Sequence, residues 1–216
     1  MENLIIAIDG PAGAGKSTIA KIIAKKLNIN YIDTGAMYRA ITYKCLENNI
    51  DISNEDAVFE VAKNSHIDFI DNNLYLDHKL ITDEIRTMQV NDRVSDVAKI
   101  TNVRHVMIEA QRNIGKRSSA ILDGRDIGSF VFPNADFKFY LVATPEERGL
   151  RRYKELCEKG HDVSLDEIIQ NLIKRDNIDS SREFSPLVKA DDAAEIDTTG
   201  KSIDEVCNEI LSIINK

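Results

Sequence analysis

The chain has 216 residues, of which 43% are hydrophobic and 30% are charged, a balance typical of a globular protein with one compact domain. Its formal net charge of −8 at pH 7 argues against a nucleic-acid partner, because phosphate backbones bind basic faces, whereas a small anionic substrate needs only a locally basic site. The N-terminal apolar run is too short for a signal peptide and no stretch approaches the length of a membrane span, so we expect a cytoplasmic protein with no membrane partner.

The first part of the chain alternates between strand and helix patterns. The continuous apolar run LIIAID at residues 4–9 is typical of a parallel strand that is buried on both faces. A glycine-rich loop follows, and then STIAKIIAKKL has apolar residues at helical spacing. A second short strand, INYID, ends at Asp33, and AMYRAITYKCLEN is the next helix. This order predicts an α/β fold with a parallel sheet.

The middle of the chain has a different pattern, which indicates an inserted lobe at about residues 50–95. Ser53 is predicted to cap a short helix, with Asp56 at the second capping-box position. Apolar and polar residues then alternate in HIDFIDNNLYLDHKLIT. This alternation predicts short antiparallel strands with a turn at residues 71–73.

Regular α/β order returns after the insert. NVRHVMIEAQRNI predicts a helix, and SAILD and DFKFYLVA predict two strands. TPEE at residues 144–147 is a capping box with proline at the first helical position, and Ser164 with Glu167 begins another helix. AAEID predicts the last strand, and Ser202 with Glu205 predicts the cap of the last helix.

The strongest functional motif is GPAGAGKST at residues 10–18, which fits G-x-x-x-x-G-K-[ST] between a strand and a helix. Its glycines allow backbone N–H groups to converge on phosphate oxygens, and the helix N-terminus adds positive potential. Lys16 is expected to reach the terminal phosphates, and the Ser17 hydroxyl is expected to bind Mg²⁺. The residues predicted to bind a nucleoside triphosphate are Gly10, Pro11, Ala12, Gly13, Ala14, Gly15, Lys16, Ser17 and Thr18.

Arginine-rich segments favour a kinase over other proteins with this loop. A guanine-specific GTPase usually carries Asn/Thr-Lys-x-Asp after a late strand, whereas the similar piece IKRD lies inside a predicted helix. Arg148, Arg151 and Arg152 share one helix face, either as a solvated basic face or as part of a mobile lid that contacts the transferring phosphoryl group. A helical salt bridge explains Arg175 and Asp179, at i and i+4, about as well as function does.

Two segments place charged or polar residues directly after predicted strands. AILDGRDIG ends a buried strand with Asp123, Arg125 and Asp126, and buried charges are costly unless they are paired or used. DTGAMYR places Thr34 and Arg39 after the second strand. Because ligands of open α/β sheets bind beyond the carboxyl ends of the strands, both segments are candidates for the substrate site.

These motifs together resemble the bacterial cytidylate kinases over nearly the whole chain. The matching pieces are IDGPAGAGKST, DTGAMYR, DEIRT, LDGRDIG, PEERGLRR, KRDNIDSSREFSPL and the final strand and helix. GRD after the strand and EIRT separate this family from adenylate and guanylate kinases, which share the phosphate-binding loop (P-loop). The resemblance implies a P-loop nucleoside-monophosphate kinase fold, an α/β fold whose five-stranded parallel sheet is flanked by helices.

The resemblance also implies how one kinase domain, residues 1–216, is divided. The expected parts are a core at about 1–34, 101–145 and 165–216, an α+β acceptor-binding insert at about 35–100, and a small helical lid at about 146–164. The implied reaction is transfer of the ATP γ-phosphate to CMP or dCMP with Mg²⁺, and we expect a monomer.

Residue roles follow from the same resemblance, position by position. The clamp on the acceptor phosphate is expected at Arg39, Arg125 and Arg182. The cytosine contacts are expected at Ser95, Arg104 and Asp126. The ribose contacts are expected at Arg175 and Asp179. In the triplet Asp33-Thr34-Gly35 the family has a serine, and Thr34 keeps its hydroxyl group. Thr34 is therefore expected in the acceptor site. The residues expected to act in catalysis are Lys16, Asp123, Arg125, Arg148, Arg151 and Arg152.

The chemistry of cytosine agrees with these roles. Cytosine presents an exocyclic amine where uracil presents a carbonyl, so the Asp126 carboxylate and the Ser95 hydroxyl can each accept a hydrogen bond from cytosine. Asp33 and Asp123 are candidates to support the metal ion, and Arg86 is expected to organise the insert rather than to contact substrate. The alternatives are a non-catalytic nucleotide switch and a kinase for another anionic acceptor, such as UMP or shikimate.

Overall fold

The structure is a computed structural model that describes residues 3–215. Its strands are β1 (Ile5–Asp9), β2 (Asn30–Asp33), β3 (Ile67–Ile70), β4 (Asn73–Leu76), β5 (Lys79–Leu80), β6 (Ala120–Asp123), β7 (Phe137–Val142) and β8 (Ala194–Asp197). Its α-helices are α1 (Lys16–Leu27), α2 (Thr34–Glu47), α3 (Glu55–Lys63), α4 (Met88–Ala98), α5 (Thr101–Gly115), α6 (Pro145–Glu158), α7 (Leu165–Ser180) and α8 (Ile203–Ile214). Within residues 3–215, none of the helices is long and apolar enough to cross a membrane.

The main sheet has the strand order β2-β6-β1-β7-β8, and all of its strand pairs are parallel. The predicted five-stranded parallel sheet is therefore confirmed. Asp123 of β6 pairs in register with Asp33 of β2 and with Ile8 of β1. The carboxyl ends of three neighbouring strands consequently meet at one edge of the sheet, where the candidate residues follow them.

Helices cover both faces of this sheet because the strand residues alternate between two apolar clusters. Ala7 packs with residues of α2 and α5 on one face, whereas its neighbours Ile6 and Ile8 pack with residues of α1 and α8 on the other. All three side chains are buried. A central strand that is apolar on both faces explains why the run at residues 4–9 has no polar alternation.

The insert contains the antiparallel strands predicted from the alternating pattern. β3, β4 and β5 form a separate three-stranded antiparallel sheet. The β3–β4 turn uses Asp71 and Asn72, both with positive φ, whereas Asn73 already belongs to β4. Helix α4 was not predicted, although Val90, Val94 and Val97 have helical spacing and are all buried.

The predicted cap of α3 at Ser53 is wrong. Asn54 is the N-cap residue, and its side chain accepts a hydrogen bond from the Ala57 amide. The Ser53 amide and hydroxyl both donate to Asp51 instead. Asn and Ser are nearly equivalent N-cap residues, so the pattern could not separate two adjacent candidates, and the helix begins one residue later than expected.

The predicted caps of the last three helices hold, with one difference. The Thr144 side chain accepts from the Glu147 amide, but the Glu147 carboxylate pairs with Arg151 rather than closing a capping box. Ser164 caps α7, and Ser202 with Glu205 forms a reciprocal box at α8. Helices α6 and α7 pack against each other, and a small apolar cluster joins them to the glycine-rich loop after β1.

Candidate active site

The P-loop between β1 and α1 depends on glycine at two positions. Gly10 has φ 141°, and a Cβ there would lie 2.1 Å from the Leu141 carbonyl oxygen in β7. Gly15 has φ 88° and forms the N-cap of α1. Both conformations are open to glycine and strained for other residues. The loop can therefore lie against β7 and turn directly into α1, as a phosphate-binding loop requires.

Lys16 is buried at the first turn of α1, where its ammonium group folds back over the loop. Its Nζ donates to the Pro11 carbonyl at 2.7 Å. Burial, followed by the charge of Arg125, lowers the pKa of Lys16 to about 7, and the nearby Asp123 only partly opposes this shift. A phosphate group bound beside it would stabilise the charged ammonium and raise this pKa again.

A buried carboxylate lies beside the P-loop and joins two hydroxyl groups. Asp123 accepts from the Ser17 hydroxyl at 2.6 Å and from the Tyr31 hydroxyl at 3.0 Å. Burial, followed by the charge of Asp33, raises the pKa of Asp123 to about 6. A positive charge near this carboxylate would favour its ionised form.

These oxygen groups fit a magnesium ion that is bound mainly by nucleotide and water. Mg²⁺ in kinases typically takes one or two protein oxygens and completes its shell with phosphate oxygens and water. The Ser17 hydroxyl and the Asp123 carboxylate supply such oxygens beside the loop. Within residues 3–215 no group of three or more His, Cys, Asp or Glu side chains could form a cage for a metal ion.

A cleft of about 290 Å³ runs from the P-loop to the insert, with walls from α2, α4, the segment after β6, and α7. Lys16, Ser17 and Asp123 lie at its P-loop end. All of the residues predicted for the acceptor line it, namely Thr34, Arg39, Ser95, Arg104, Arg125, Asp126, Arg175, Asp179 and Arg182. The fold thus brings the predicted acceptor residues, which lie in distant parts of the chain, together beside the P-loop.

One end of the cleft has a buried network around Asp126. Arg104 is 2% exposed, and its Nη2 donates to Asp126 Oδ2 at 2.5 Å. The Ser185 hydroxyl also donates to Asp126 Oδ2. Arg104 is held in turn by the Ala98 carbonyl at 3.1 Å. Among the described residues both bonds to Asp126 end on Oδ2, which leaves Oδ1 available to a ligand in the cleft.

A second network joins two arginines through one carboxylate. Asp179 accepts from Arg125 Nε at 2.8 Å and from Arg182 Nη2. Burial acts to raise the pKa of Asp179, but the two arginines outweigh it and lower the pKa. One negative charge between two positive ones leaves this wall of the cleft with a net positive charge, which suits a phosphate dianion.

Arg148 is buried and does not line the cleft, which corrects the expectation that it shares an open helix face with Arg151 and Arg152 and contacts the transferring phosphoryl group. It is 4% exposed, and its Nη1 donates to the Ala12 carbonyl at 2.9 Å and to Asp176 Oδ2 at 2.5 Å. Its Nε donates to the Ala143 carbonyl at 3.1 Å. Asp176 Oδ1 also accepts from the Ala12 amide at 3.2 Å. The Arg148–Asp176 ion pair therefore holds both the carbonyl and the amide of Ala12 in the P-loop.

The other two arginines of α6 differ from each other as well. Arg151 donates to the Thr198 carbonyl at 2.6 Å and to Glu147 at 2.9 Å, so it links α6 to the segment after β8. Arg152 lines the cleft and donates to Glu155 at 2.7 Å. Helical spacing placed the three guanidinium groups on one face, but tertiary contacts give each a different partner, and Arg152 is the one that faces the cleft.

Another buried carboxyl group, that of Asp9, connects the P-loop strand to the segment after Asp126. Asp9 accepts from the Ile127 and Gly128 amides at 2.9 and 2.7 Å. These amides begin a π-helical turn over Ile127–Val131. Burial is the main cause that raises the pKa of Asp9 to about 7. Asp9 thus anchors the turn that follows Arg125 and Asp126 to the end of β1, directly before the P-loop.

Several site residues escaped the sequence analysis because their partners are distant in the chain. Asp176 follows Arg175 directly and Ser185 lies within the matched segment KRDNIDSSREFSPL, so both had a weak signal. Tyr31 has the apolar pattern of a strand residue, and its hydroxyl acquires a role only beside β6. The residues missed were Asp9, Tyr31, Asn91, Asp176 and Ser185.

Comparison with known proteins identifies the family. The sequence matches the cytidylate kinase family over residues 6–216. A cytidylate kinase from Clostridioides difficile (strain 630) is 68% identical over 100% of both chains, and one from Alkaliphilus oremlandii (strain OhILAs) is 57% identical over 99% of both. A gluconokinase structure from Sinorhizobium meliloti 1021 superposes with a TM-score of 0.51 over 97% of this chain and 90% of that chain at 13% identity, which indicates a shared fold. The family match and the two relatives show that the chain belongs to the cytidylate kinase family and is a nucleoside-monophosphate kinase.

Proposed function

We propose that this chain transfers the γ-phosphoryl group of ATP to CMP or dCMP in the presence of Mg²⁺, giving ADP and CDP or dCDP. The observation that carries the proposal is the continuity of one cleft, which has Lys16 at one end and the Arg104–Asp126 pair at the other. In such a cleft the acceptor oxygen and the triphosphate are neighbours. Positioning and electrostatic stabilisation supply most of the catalysis of phosphoryl transfer.

Cytosine is proposed to bind beside Asp126. Arg104 and Ser185 hold the carboxylate through Oδ2, so its Oδ1 can accept from the exocyclic amine of the base. Uracil would place a carbonyl oxygen against the same oxygen, with no proton between them. A site built to bond one substrate group discriminates strongly against an analogue that lacks it. Ser95 lines the same part of the cleft and is proposed as a second acceptor.

The acceptor phosphate is proposed to bind Arg39, Arg125 and Arg182. Arg125 and Arg182 share the single carboxylate of Asp179, so they keep positive charge for a ligand. Each charge-assisted hydrogen bond to the phosphate contributes about 1.5–3 kcal/mol. The same charges reduce the repulsion between the acceptor oxygen and the γ-phosphate. Because that oxygen is already ionised, the transfer needs no general base.

The ribose is proposed to lie near Arg175 and Asp179, and the Thr34 hydroxyl near the acceptor phosphate. All three residues line the cleft. Thr34 donates to the Asp123 carbonyl at 2.7 Å, which fixes its side chain at the end of β6. Asp179 already accepts hydrogen bonds from Arg125 and Arg182, so its carboxylate would bind the ribose in addition to these two arginines.

The metal ion is proposed to bind at Ser17, with Asp123 supporting it. When bound, Mg²⁺ neutralises charge on the phosphate oxygens that take part in the transfer. Lys16 is proposed to contact the same phosphates and Arg152 to face the transferring group from α6. Residues 146–164 are proposed as a lid, with the insert at 35–100 and the remaining segments as the core.

The protein is proposed to be a monomer. Since ATP and CMP are metabolites of the cytoplasm, the proposal also places the enzyme there. Sedimentation of the purified protein at the concentration used for kinetics would test the monomer.

An acceptor panel tests the proposed function. Release of ADP is measured with ATP and Mg²⁺ and with CMP, dCMP, UMP, AMP, GMP or shikimate as the acceptor. We expect turnover with CMP and dCMP and little with the others. Equal turnover with UMP would refute cytosine selection. An ADP release that no acceptor stimulates would instead support a nucleotide switch.

A further inference from the structure

Arg39 lies in a crowded, positively charged part of the cleft. Burial, followed by the charges of Arg175 and Arg86, lowers the pKa of Arg39 to about 9, and Asp33 only partly opposes this. A guanidinium group in such surroundings is repelled by its neighbours and needs a partner to hold it in one position. Among residues 3–215 its side chain makes one hydrogen bond, from Nη1 to Asn91 Oδ1 at 2.5 Å.

The side-chain amide of Asn91 has its orientation fixed by the backbone. Its Nδ2 donates to the Arg86 carbonyl at 3.0 Å and to the Thr87 carbonyl at 2.8 Å. Carbonyl groups accept hydrogen bonds and cannot donate them, so the nitrogen must face them and the oxygen must face Arg39. Asn91 therefore presents a fixed acceptor to the guanidinium group.

The segment that holds Asn91 is itself tied to the helix that carries Arg39. Arg86 Nη2 pairs with Asp33 Oδ2 at 2.7 Å. The other oxygen of Asp33 accepts from the Ala36 amide at 2.9 Å and caps α2, on which Arg39 lies. The hydrogen bonds thus form a closed circuit: Asp33 at the start of α2 binds Arg86, the Arg86 carbonyl binds Asn91, and Asn91 binds Arg39 on α2. This circuit gives the segment DEIRT a role in positioning Arg39.

We propose that Asn91 is a positioning residue for the acceptor phosphate, which it serves by holding Arg39 without neutralising its charge. The proposal rests on the proposed role of Arg39 as a phosphate contact. Asp179 shows the contrast, because its carboxylate shares its negative charge between Arg125 and Arg182. A neutral amide at position 91 leaves the whole charge of Arg39 for the ligand. An aspartate there would compete with the phosphate.

The test compares CMP with cytidine, which lacks the phosphate. Dissociation constants of both are measured by calorimetry for the wild type and for Asn91→Asp, Asn91→Ala, Arg39→Ala and the control Gln89→Ala. Gln89 is an exposed amide residue on the same helix, two positions away. We expect Asn91→Asp to weaken CMP binding about tenfold, a change equivalent to about 1.4 kcal/mol. We expect Asn91→Ala to weaken CMP binding less, because this substitution removes the contact that positions Arg39 but adds no negative charge beside it.

Several outcomes separate this inference from its alternatives. Cytidine and ATP binding should stay at wild-type values in both variants at position 91, and Asn91→Asp should have no further effect in the Arg39→Ala background. If Asn91 has a merely structural role, its replacement weakens the binding of CMP and of cytidine together, and this result would overturn the inference. A CMP affinity in both variants equal to that of Gln89→Ala would also overturn it. If Arg39→Ala itself bound CMP normally, the proposed role of Arg39 would fail first. Asn91→Ala keeps the test decisive if Asn91→Asp does not fold.

Discussion

Replacing Arg148 tests whether this residue supports the P-loop or acts directly on the phosphoryl group. Arg148→Ala removes hydrogen bonds to the Ala12 and Ala143 carbonyls and leaves Asp176 without its ion-pair partner. The side chains of this pair are 5% and 17% exposed. Removing one partner of a buried pair costs about 3–5 kcal/mol, and the partial exposure of Asp176 favours the lower value, about 3 kcal/mol.

The matched control is Arg152→Ala on the same helix. Its ion pair with Glu155 has side chains that are 32% and 46% exposed, so its loss should cost at most about 1 kcal/mol. For a chain of this length, a loss of about 3 kcal/mol lowers the melting temperature by about 6–12 °C. We expect this shift in Arg148→Ala and a much smaller one in Arg152→Ala.

Urea unfolding followed by circular dichroism gives the free energy of unfolding of each variant. Steady-state kinetics give its kcat and its KM for ATP. If Arg148 supports the loop, Arg148→Ala should raise the KM for ATP along with the loss of stability, and replacing both Arg148 and Asp176 with apolar residues should recover part of that stability. If Arg148→Ala unfolds like the control but has a lower kcat at unchanged KM, Arg148 does not support the loop and instead acts on the transferring phosphoryl group.

Two further predictions concern buried charges near the P-loop. Lys16→Ala should abolish most turnover without lowering the free energy of unfolding, because burial already disfavours the charged ammonium; a near-normal kcat would contradict its proposed contact with phosphate. Asp9 has a pKa raised from its ordinary 3.8 to about 7, so between about pH 4 and pH 7 its folded form holds a proton that its unfolded form releases. The resulting contribution to stability is complete below about pH 4 and is lost as the pH rises through 7. Asp9→Asn should remove this part of the pH dependence in urea titrations at pH 5 and pH 8, and an identical pH dependence in the two proteins would show that the carboxyl is ionised throughout.

The parts of the fold that the sequence predicted are those encoded by local patterns. The P-loop motif, the apolar run at β1 and the cap at Ser202 each depend on neighbours within a few residues, and the structure has all of them as expected. Where two local solutions compete, as at Ser53 and Asn54, the pattern gives no preference. Helix α4 was not predicted because its buried side chains are mainly valines, which also favour strands, and it follows an antiparallel pattern.

Long-range contacts account for what the sequence could not predict in the site. The helical positions of Arg148 and Arg152 predict a common face, but the Ala12 carbonyl and Asp176 determine that Arg148 turns inward. The role of Asn91 likewise depends on where the carbonyls before α4 lie relative to Arg39. Such partners are brought together by the fold, so spacing along the chain does not reveal them.

Selectivity for cytosine is proposed to depend on Asp126, and a ratio of catalytic efficiencies measures it. The measurement is kcat/KM for CMP divided by kcat/KM for UMP, in the wild type and in Asp126→Ala. We expect a large ratio in the wild type and a ratio near one in the variant, caused by a higher KM for CMP. Asp126→Ala also leaves the buried Arg104 without its carboxylate, so the free energy of unfolding and the KM for ATP are measured in the same variant. Lys201→Ala, which breaks a distant exposed ion pair, gives the ratio expected of an unrelated substitution. A ratio that Asp126→Ala leaves unchanged would show that Asp126 does not select cytosine.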